Sequence, residues 1–397
     1  MQTFARIFFG LLFLGAFGGA SFYVYRRTVH DTVQTPWIRR VMASLIAALF
    51  LSVPVLRVAW REEMPPPLLS VTILFGWGVF LYTLMALMGL ELGGWLRTLR
   101  RQAAPPPKVD PPPPPAPPED PARRLFLARA SASAALAVGS SAAAFGAFRA
   151  FNPPEITEVP VKLPGLPKAL DGFSIVQLSD IHVGPIIQER FVDQLVATAN
   201  RAKGDLVAIT GDLVDGPPSA LGRYVARLRN LQSKFGTFFV SGNHDYYAGW
   251  EEWSRELEGI DFVVLRNRLV TIGDPGASFD LIGVDDWGAR WHRNGYDLDK
   301  ATAGRDRERA SVLLAHQPTG VEEAASAGIG IQLSGHTHGG QMFPANFIGD
   351  AIWRRRNAGL SFNDGTWLYT SRGCGFVGPP LRLGAPPEVV KIVLVAS

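Results

Sequence analysis

Gly335-His336-Thr337-His338-Gly339-Gly340-Gln341 follows an apolar run at residues 329–333 that reads as a strand. It sets two histidines, one residue apart, between glycines. At a strand end, side chains at i and i+2 can be splayed from one backbone segment onto neighbouring points. Glycine lets that backbone come close to whatever is gripped. Imidazole is the commonest side-chain metal ligand near neutral pH. Taken alone, the pair is equally readable as polar loop surface, so its meaning depends on what else the chain places at strand ends.

Upstream, residues 173–178, 206–210 and 237–240 are short runs of apolar, β-branched and aromatic residues. The segments between them are helical in pattern. Residues 189–201 align Phe191, Leu195, Val196 and Ala199 on one stripe, and residues 220–231 align Leu221, Tyr224, Val225 and Leu228. This β-α-β-α-β alternation predicts a layered α/β domain. Further strands are expected at 279–283, 312–315, 331–333, 367–370 and 389–395, with fewer helices between them.

In open α/β sheets, ligands bind beyond the carboxyl ends of strands. Here those ends read Ser179-Asp180-Ile181-His182, Gly211-Asp212-Leu213-Val214-Asp215 and Gly242-Asn243-His244-Asp245. Next come Ala315-His316-Gln317-Pro318 and the opening stretch. Five of the seven histidines fall there; only His30 and His292 do not. A capping aspartate or a satisfied core histidine accounts for one such site, not for five in succession. Carboxylate, amide and imidazole donors without thiolates suit Mn, Fe or Zn, and a bridging carboxylate is the usual way to hold two ions close.

These five blocks, in this order, resemble those of the calcineurin-like metallophosphoesterases, over about residues 173–395. The wider block at 335–341 and the ending Arg372-Gly373-Cys374-Gly375 with Pro387-Glu388-Val389 are similar to the membrane-anchored, often twin-arginine-exported branch. The resemblance implies a sandwich of two mixed β-sheets flanked by helices, and two divalent metal ions (Mn, Fe or Zn). It implies that Asp180, His182 and His338 hold the first ion, that Asn243, His316 and His336 hold the second, and that Asp212 bridges them. His244 would protonate the leaving oxygen or stabilise phosphoryl charge, with Asp215 as its orienter and Asp245 as an alternative orienter or a loop cap. In such chemistry a hydroxide shared by ions roughly 3.5–4 Å apart attacks phosphorus.

The chain before residue 152 is of another kind. Residues 4–25, 41–59 and 68–96 are apolar runs near the about 20 residues that cross a bilayer. The predicted organisation is three transmembrane helices within 1–103, a proline-rich linker at 104–122, a further apolar segment at 123–151 and the phosphoesterase domain at 152–397. The linker, with five prolines at 111–115, is expected to be an extended spacer. Arg123-Arg124-Leu125-Phe126-Leu127 and the Ala/Ser/Gly-rich stretch after it resemble an internal twin-arginine export signal; a fourth membrane segment or a juxtamembrane amphipathic helix fits the same residues.

Charge is divided the same way. Residues 1–151 carry 15 Lys+Arg against 7 Asp+Glu, and the remainder 24 against 28, so the basic pI of about 9.3 belongs to the N-terminal part. Its cations flank apolar runs, which argues against nucleic acid as a partner. Arg26, Arg27, Arg39 and Arg40 lie in one loop, and Arg97, Arg100, Arg101 and Lys108 follow the third run. The positive-inside rule puts both clusters in the cytoplasm. The protein is therefore expected to be multi-pass in the cytoplasmic (inner) membrane, with an extracytoplasmic catalytic domain. Cys374, the single cysteine, rules out an intrachain disulfide and a cysteine-based zinc cluster.

The expected activity is hydrolysis of a phosphodiester, pyrophosphate or phosphomonoester bond in a phosphorylated small molecule or lipid. The branch resemblance favours a UDP-diacylglucosamine-like or other lipid-linked or nucleotide-sugar diphosphate at the outer face of the membrane. Asp285-Asp286-Trp287, His292 and Trp353-Arg354-Arg355-Arg356 are candidate specificity elements, the last for diphosphates or anionic lipid heads. The competing reading is a membrane sensor or transporter-associated subunit, disfavoured because the spans offer few polar residues for a conduction path. Nothing in the sequence speaks to oligomeric state.

Overall fold

The computed structural model describes residues 2–59, 64–103, 120–290 and 295–396. It divides into two units: residues 1–61 with 72–145, and residues 62–71 with 146–397. The proline run at 104–119, and Trp291-His292-Arg293 with it, lie outside the described residues.

The first unit is built from helices α1 (Gln2–Tyr25), α2 (Pro36–Ala59), α3 (Pro67–Ala103) and α4 (Pro121–Phe151). Among the described residues, Pro67–Gln102 and Pro121–Phe151 are long and apolar enough to cross a membrane. The second of these lies beyond the proline run and takes in the segment at 123–151 for which a fourth membrane segment is one reading, so helices of that length are not strictly N-terminal. Residues 123–151 belong to that one unbroken helix. Val24, Phe80, Leu87 and Ala135 form a small interior, while Phe22, Trp37, Leu45, Trp95, Phe126 and Val138 point outward. At Gly139 on α4 a methyl group would lie 2.3 Å from Thr83 Oγ1 on α3, so only glycine lets the two backbones come this close.

The second unit opens with β1 (Glu155–Leu163), β2 (Ser174–Leu178), α5 (Glu189–Ala202), β3 (Leu206–Thr210) and α6 (Pro218–Val225). It continues with β4 (Thr237–Val240), α7 (Asn243–Tyr247), α8 (Trp250–Glu258), β5 (Phe262–Val264), β6 (Arg268–Asp274) and β7 (Ala277–Gly283). Then follow α9 (Leu298–Thr302), β8 (Ser311–Leu314), α10 (Val321–Ser326) and β9 (Ile331–Ser334). The last elements are α11 (Ala345–Ile352), β10 (Gly359–Asn363), β11 (Thr366–Thr370) and β12 (Glu388–Ala396).

These strands make two six-stranded mixed sheets, ordered β1-β12-β2-β3-β4-β5 and β10-β11-β9-β8-β7-β6. Strand alternation explains why their sequences are apolar without interruption. Ile175, Ala208 and Phe238 face the second sheet, while Val176, Val207, Ile209 and Phe239 pack under α5, α6 and α8. In the other sheet Leu281, Val312 and Leu314 face inward, and Ile282 and Leu313 pack with residues of α9 and α10. The chain is thus an α/β sandwich, with one core between the sheets and one on each outer face. The helical stripe expected at 220–231 splits into α6 and a tighter 3₁₀ stretch, Ala226–Asn230. Pro160 sits in β1, at the edge of its sheet, where its missing N–H costs nothing.

Candidate metal centre

The loops that follow β2, β3, β4, β8 and β9 converge. The first two run side by side, with Asp180 N–H donating to the Gly211 carbonyl at 3.0 Å and His182 N–H to the Asp212 carbonyl at 3.1 Å. The third is tied to the second by Asp245. Its buried carboxylate accepts from the N–H groups of Gly242 (2.7 Å), Asp212 (2.9 Å), Leu213 (2.9 Å) and Val214 (3.3 Å). Asp245 is thus a loop clamp, not the partner of His244. Glycines make the convergence possible: a methyl on Gly335 would lie 2.0 Å from Ser179 Oγ, and one on Gly242 2.2 Å from Asp212 Oδ1.

Asp180, His182, Asp212, His336 and His338 all adopt left-handed backbone, with φ between 52° and 72°. For residues other than glycine this conformation costs on the order of 1–3 kcal/mol each, and it persists only where the surroundings hold it. Here strand ends and the Asp245 clamp do so.

Three groups of side chains result: Asp180, His182 and His338; His182, Asp212 and His244; and Asp212, His316 and His336. Within each, the ligand atoms lie within 4.8 Å of one another. Of the nine residues singled out from the sequence, seven therefore belong to these groups. Asn243 adjoins His244, and its buried Oδ1 has no hydrogen-bond partner. Asp215 stands behind two of the rings, with Oδ1 2.7 Å from His244 Nδ1 and 3.0 Å from His182 Nδ1.

The hydrogen bonds fix which ring nitrogen faces the site. His316 Nδ1–H donates to the Thr210 carbonyl at 2.8 Å, which turns Nε2 to the site, 3.2 Å from Asp212 Oδ2 and 3.2 Å from His336 Nδ1. His182 Nδ1–H donates to Asp215, which turns Nε2 to the site, 3.1 Å from His338 Nε2. Ring nitrogens paired face to face beside carboxylates, next to an orphaned amide oxygen, are a donor set that fits divalent cations. The site is a dinuclear divalent-metal centre of His/Asp clusters, with Asp212 common to two groups.

Electrostatics agree with that reading. Burial pulls the His182 imidazole down, but Asp215, Asp212 and Asp180 outweigh it and hold it at about 9. His316 is likewise opposed by burial and held well above its usual value by Asp212. Burial and the His316 cation push His336 down to about 3, and burial and Arg382 push His338 well below its usual range. Asp215 is resisted by burial yet held below the ordinary carboxylate range by His182 and His244.

Arg382 is the residue the sequence reading missed. It is fully buried, and its Nη2 lies 3.0 Å from His338 Nδ1 while Nη1 donates to the carbonyls of Arg372 (2.7 Å) and His338 (3.0 Å). Guanidinium only donates, so Arg382 Nη2 offers its N–H to His338 Nδ1. The one signal in sequence was a cation between two leucines, Leu381-Arg382-Leu383. Asp285 and Asp286 prove to be braces: Asp285 accepts from Ser241 Oγ at 3.2 Å, and Asp286 accepts from Gln317 Nε2 at 3.0 Å.

The site opens beside His244, where Asp215, Gly216, Pro217, Tyr247 and Ala248 line a cavity of 420 Å³ with it.

Comparison with known proteins agrees with this geometry. The family model described as calcineurin-like phosphoesterase matches residues 173–340. A Bos taurus transmembrane protein with metallophosphoesterase domain is 37% identical over 265 residues, 64% of this chain and 60% of that protein. An uncharacterized metallophosphoesterase of Aquifex aeolicus is 34% identical over 58% of this chain and 87% of its own. The uncharacterized metallophosphoesterase YkuE of Bacillus subtilis is 30% identical over 68% of this chain and 97% of its own. The match thus takes in nearly all of the Bacillus protein and less than two thirds of the bovine one. Fold and metal-binding triads match those of a metallophosphoesterase.

Proposed function

Since the chain belongs to the calcineurin-like phosphoesterases, we propose that it hydrolyses a phosphodiester, pyrophosphate or phosphomonoester bond of a lipid-linked or nucleotide-sugar substrate at the outer face of the cytoplasmic membrane. The observation that carries the reading is the sharing of Asp212 between two His/Asp groups, with His244 half-open at their rim. Asp180, His182 and His338 would hold one ion and Asn243, His316 and His336 the other, with Asp212 between them. Manganese, iron or zinc fits the donors. When bound, the ions supply the charge that activates water and neutralises phosphoryl oxygens.

The chain's own groups do the rest. Asp215 accepts a hydrogen bond from His244 Nδ1–H, which leaves Nε2 facing the open side. Burial works against protonation of His244, but the bond to Asp215 and the field of Asp212 raise it above its usual value. A protonated His244 can then give Nε2–H to the departing oxygen. The cavity against Pro217 and Tyr247 would receive that leaving group.

The membrane face rests on the arginines. Arg26 and Arg27 follow α1, Arg39 and Arg40 lie at the start of α2, and Arg97, Arg100 and Arg101 close α3, all suited to the cytoplasm. Twin-arginine export of the segment at 123–151 accords with this placement.

The test uses the full chain in detergent, loaded with Mn²⁺ and given bis(p-nitrophenyl) phosphate. Turnover that disappears in Asp212→Ala supports the reading; unchanged turnover in that variant refutes it. A panel of lipid and nucleotide diphosphates then separates the substrate classes. A periplasmic-activity reporter fused after Phe151 checks the topology, and cytoplasmic signal would overturn it.

A further inference from the structure

Helix α11 is amphipathic in the reverse of the usual sense. Asn346 and Gly349 face the protein. The buried Asn357 donates through Nδ2 to the Asn346 carbonyl at 3.3 Å, and a methyl on Gly349 would lie 2.7 Å from Asn357 Oδ1. Thr337, between the two histidines of the ligand loop, donates its hydroxyl to the Asn357 carbonyl. The helix is thus fastened to the metal-binding loop by a polar seam. Its large apolar residues point the other way: Phe347, Ile348 and Ile352 are 63%, 58% and 68% exposed, and none of its eight residues is buried. The Phe343 ring, 6.0 Å from that of Phe347, extends the face.

Cations adjoin this face. Arg354 and Arg355 follow directly, both exposed and both in left-handed backbone, with φ of 51° and 64°. Arg356 pairs with Glu322, and Asp350 is the one carboxylate between 343 and 356. An exposed apolar face beside arginines has the composition of elements that lie in the headgroup region of an anionic bilayer. A second copy of the chain is a poorer occupant, because a two-fold contact centred on this face would bring its arginines against their own mates.

We propose that α11 docks on the anionic lipid–water interface of the membrane to which the chain's apolar helices attach it. Phe343, Phe347, Ile348 and Ile352 enter the headgroup–acyl boundary, and Arg354 and Arg355 meet lipid phosphates. The ring of His336 stands edge-on to Trp353 at 5.7 Å, so docking brings the rim of the metal centre close to the headgroups. Delivery of a lipid phosphoester to the site rests on the function proposed above; docking itself does not.

Cys374, the single cysteine, is buried, so an Ile348→Cys variant can be labelled selectively with an environment-sensitive fluorophore. The full chain is reconstituted in nanodiscs containing phosphatidylglycerol. Docking predicts quenching of the label by shallow doxyl lipids, protection from aqueous iodide, and loss of both on replacing phosphatidylglycerol by phosphatidylcholine or in Arg354→Glu/Arg355→Glu. Free access of iodide overturns the proposal. Protection from iodide without lipid quenching also overturns it, in favour of a protein partner or second copy. A parallel measurement compares Phe347→Asp/Ile348→Asp with the parent. Docking for delivery predicts at least tenfold slower hydrolysis of a bilayer-embedded phosphoester and unchanged turnover of bis(p-nitrophenyl) phosphate. Lipid quenching with no turnover of either substrate would leave docking standing and remove the catalytic reading instead.

Discussion

In the helical unit Phe22, Trp37, Leu45 and Phe126 point away from the protein, and the contact between α3 and α4 is made at a glycine. In the sandwich unit the same kinds of residue, Phe238, Phe239, Phe279 and Leu313, are all buried, and polar groups gather at one end of the sheets. The reversal is what a change of solvent demands. Lipid gives helices no hydrophobic reason to associate, so close backbone approach does that work. Water drives the sandwich together, and its buried polar cluster is tolerated because cations and hydrogen bonds satisfy it. Helix α11 breaks the pattern within the sandwich unit, being apolar outward like the first unit.

The contrast can be broken at four places. The largest effect is expected at His244, the leaving-group acid of the proposed function. His244→Ala should lower kcat by about 10²–10⁴-fold while leaving the melting of both units in place. The effect should shrink for a p-nitrophenol leaving group, which needs no proton; equal losses for good and poor leaving groups would remove the general-acid role.

Metal affinity should come next. His182, held at about 9, is protonated at pH 7 in the metal-free site, and uptake of a cation must displace that proton. Affinity should therefore rise with pH up to about 9, about tenfold per pH unit for each proton displaced. Calorimetric titration of the chelator-stripped protein at pH 6 to 9 measures it; a flat profile would contradict the assigned protonation.

Asp245 bears on folding of the sandwich alone. Asp245→Ala leaves up to four backbone N–H groups without their acceptor and should cost about 3 kcal/mol, read as a lowered Tm of that unit. At the other end of the comparison, Gly139→Leu should loosen the helical unit by about 1–3 kcal/mol through overpacking against Thr83. Turnover of a water-soluble substrate should be untouched; its loss would mean that the two units are not separable in function.

The site was more legible in the sequence than the shell around it. Asp180, His182, Asp212, His316, His336 and His338, whose side chains the fold gathers, could be read because strands are short, apolar and regular, and polar residues at their ends stand out against them. Asp215 was visible by its spacing from Asp212. Arg382 was not, because a single buried cation has no periodicity and its partners are main-chain carbonyls brought in by the fold. Strand β1 was missed because its alternation is broken by Pro160, acceptable only at the edge position that the sheet order gives it. The stripe of α11 is readable as helical, but sequence alone assigns its apolar side to a core. Only Asn346 and Gly349 against Asn357 show that side to be outward.

The place of β12 has a consequence in time. The strand nearest the end of the chain lies between β1 and β2, parallel to the first and antiparallel to the second. During synthesis, β2, β3, β4 and β5 can assemble as a parallel group as they emerge, bringing the Asp180, Asp212 and Asn243 loops together. Yet β2 keeps an open edge and β1 has no sheet to join until residue 396 has left the ribosome. Pairing across such sequence distances is slow, and an open edge invites pairing with other chains. The interval between making the metal loops and closing the sheet is therefore when this polypeptide is most exposed to misassembly.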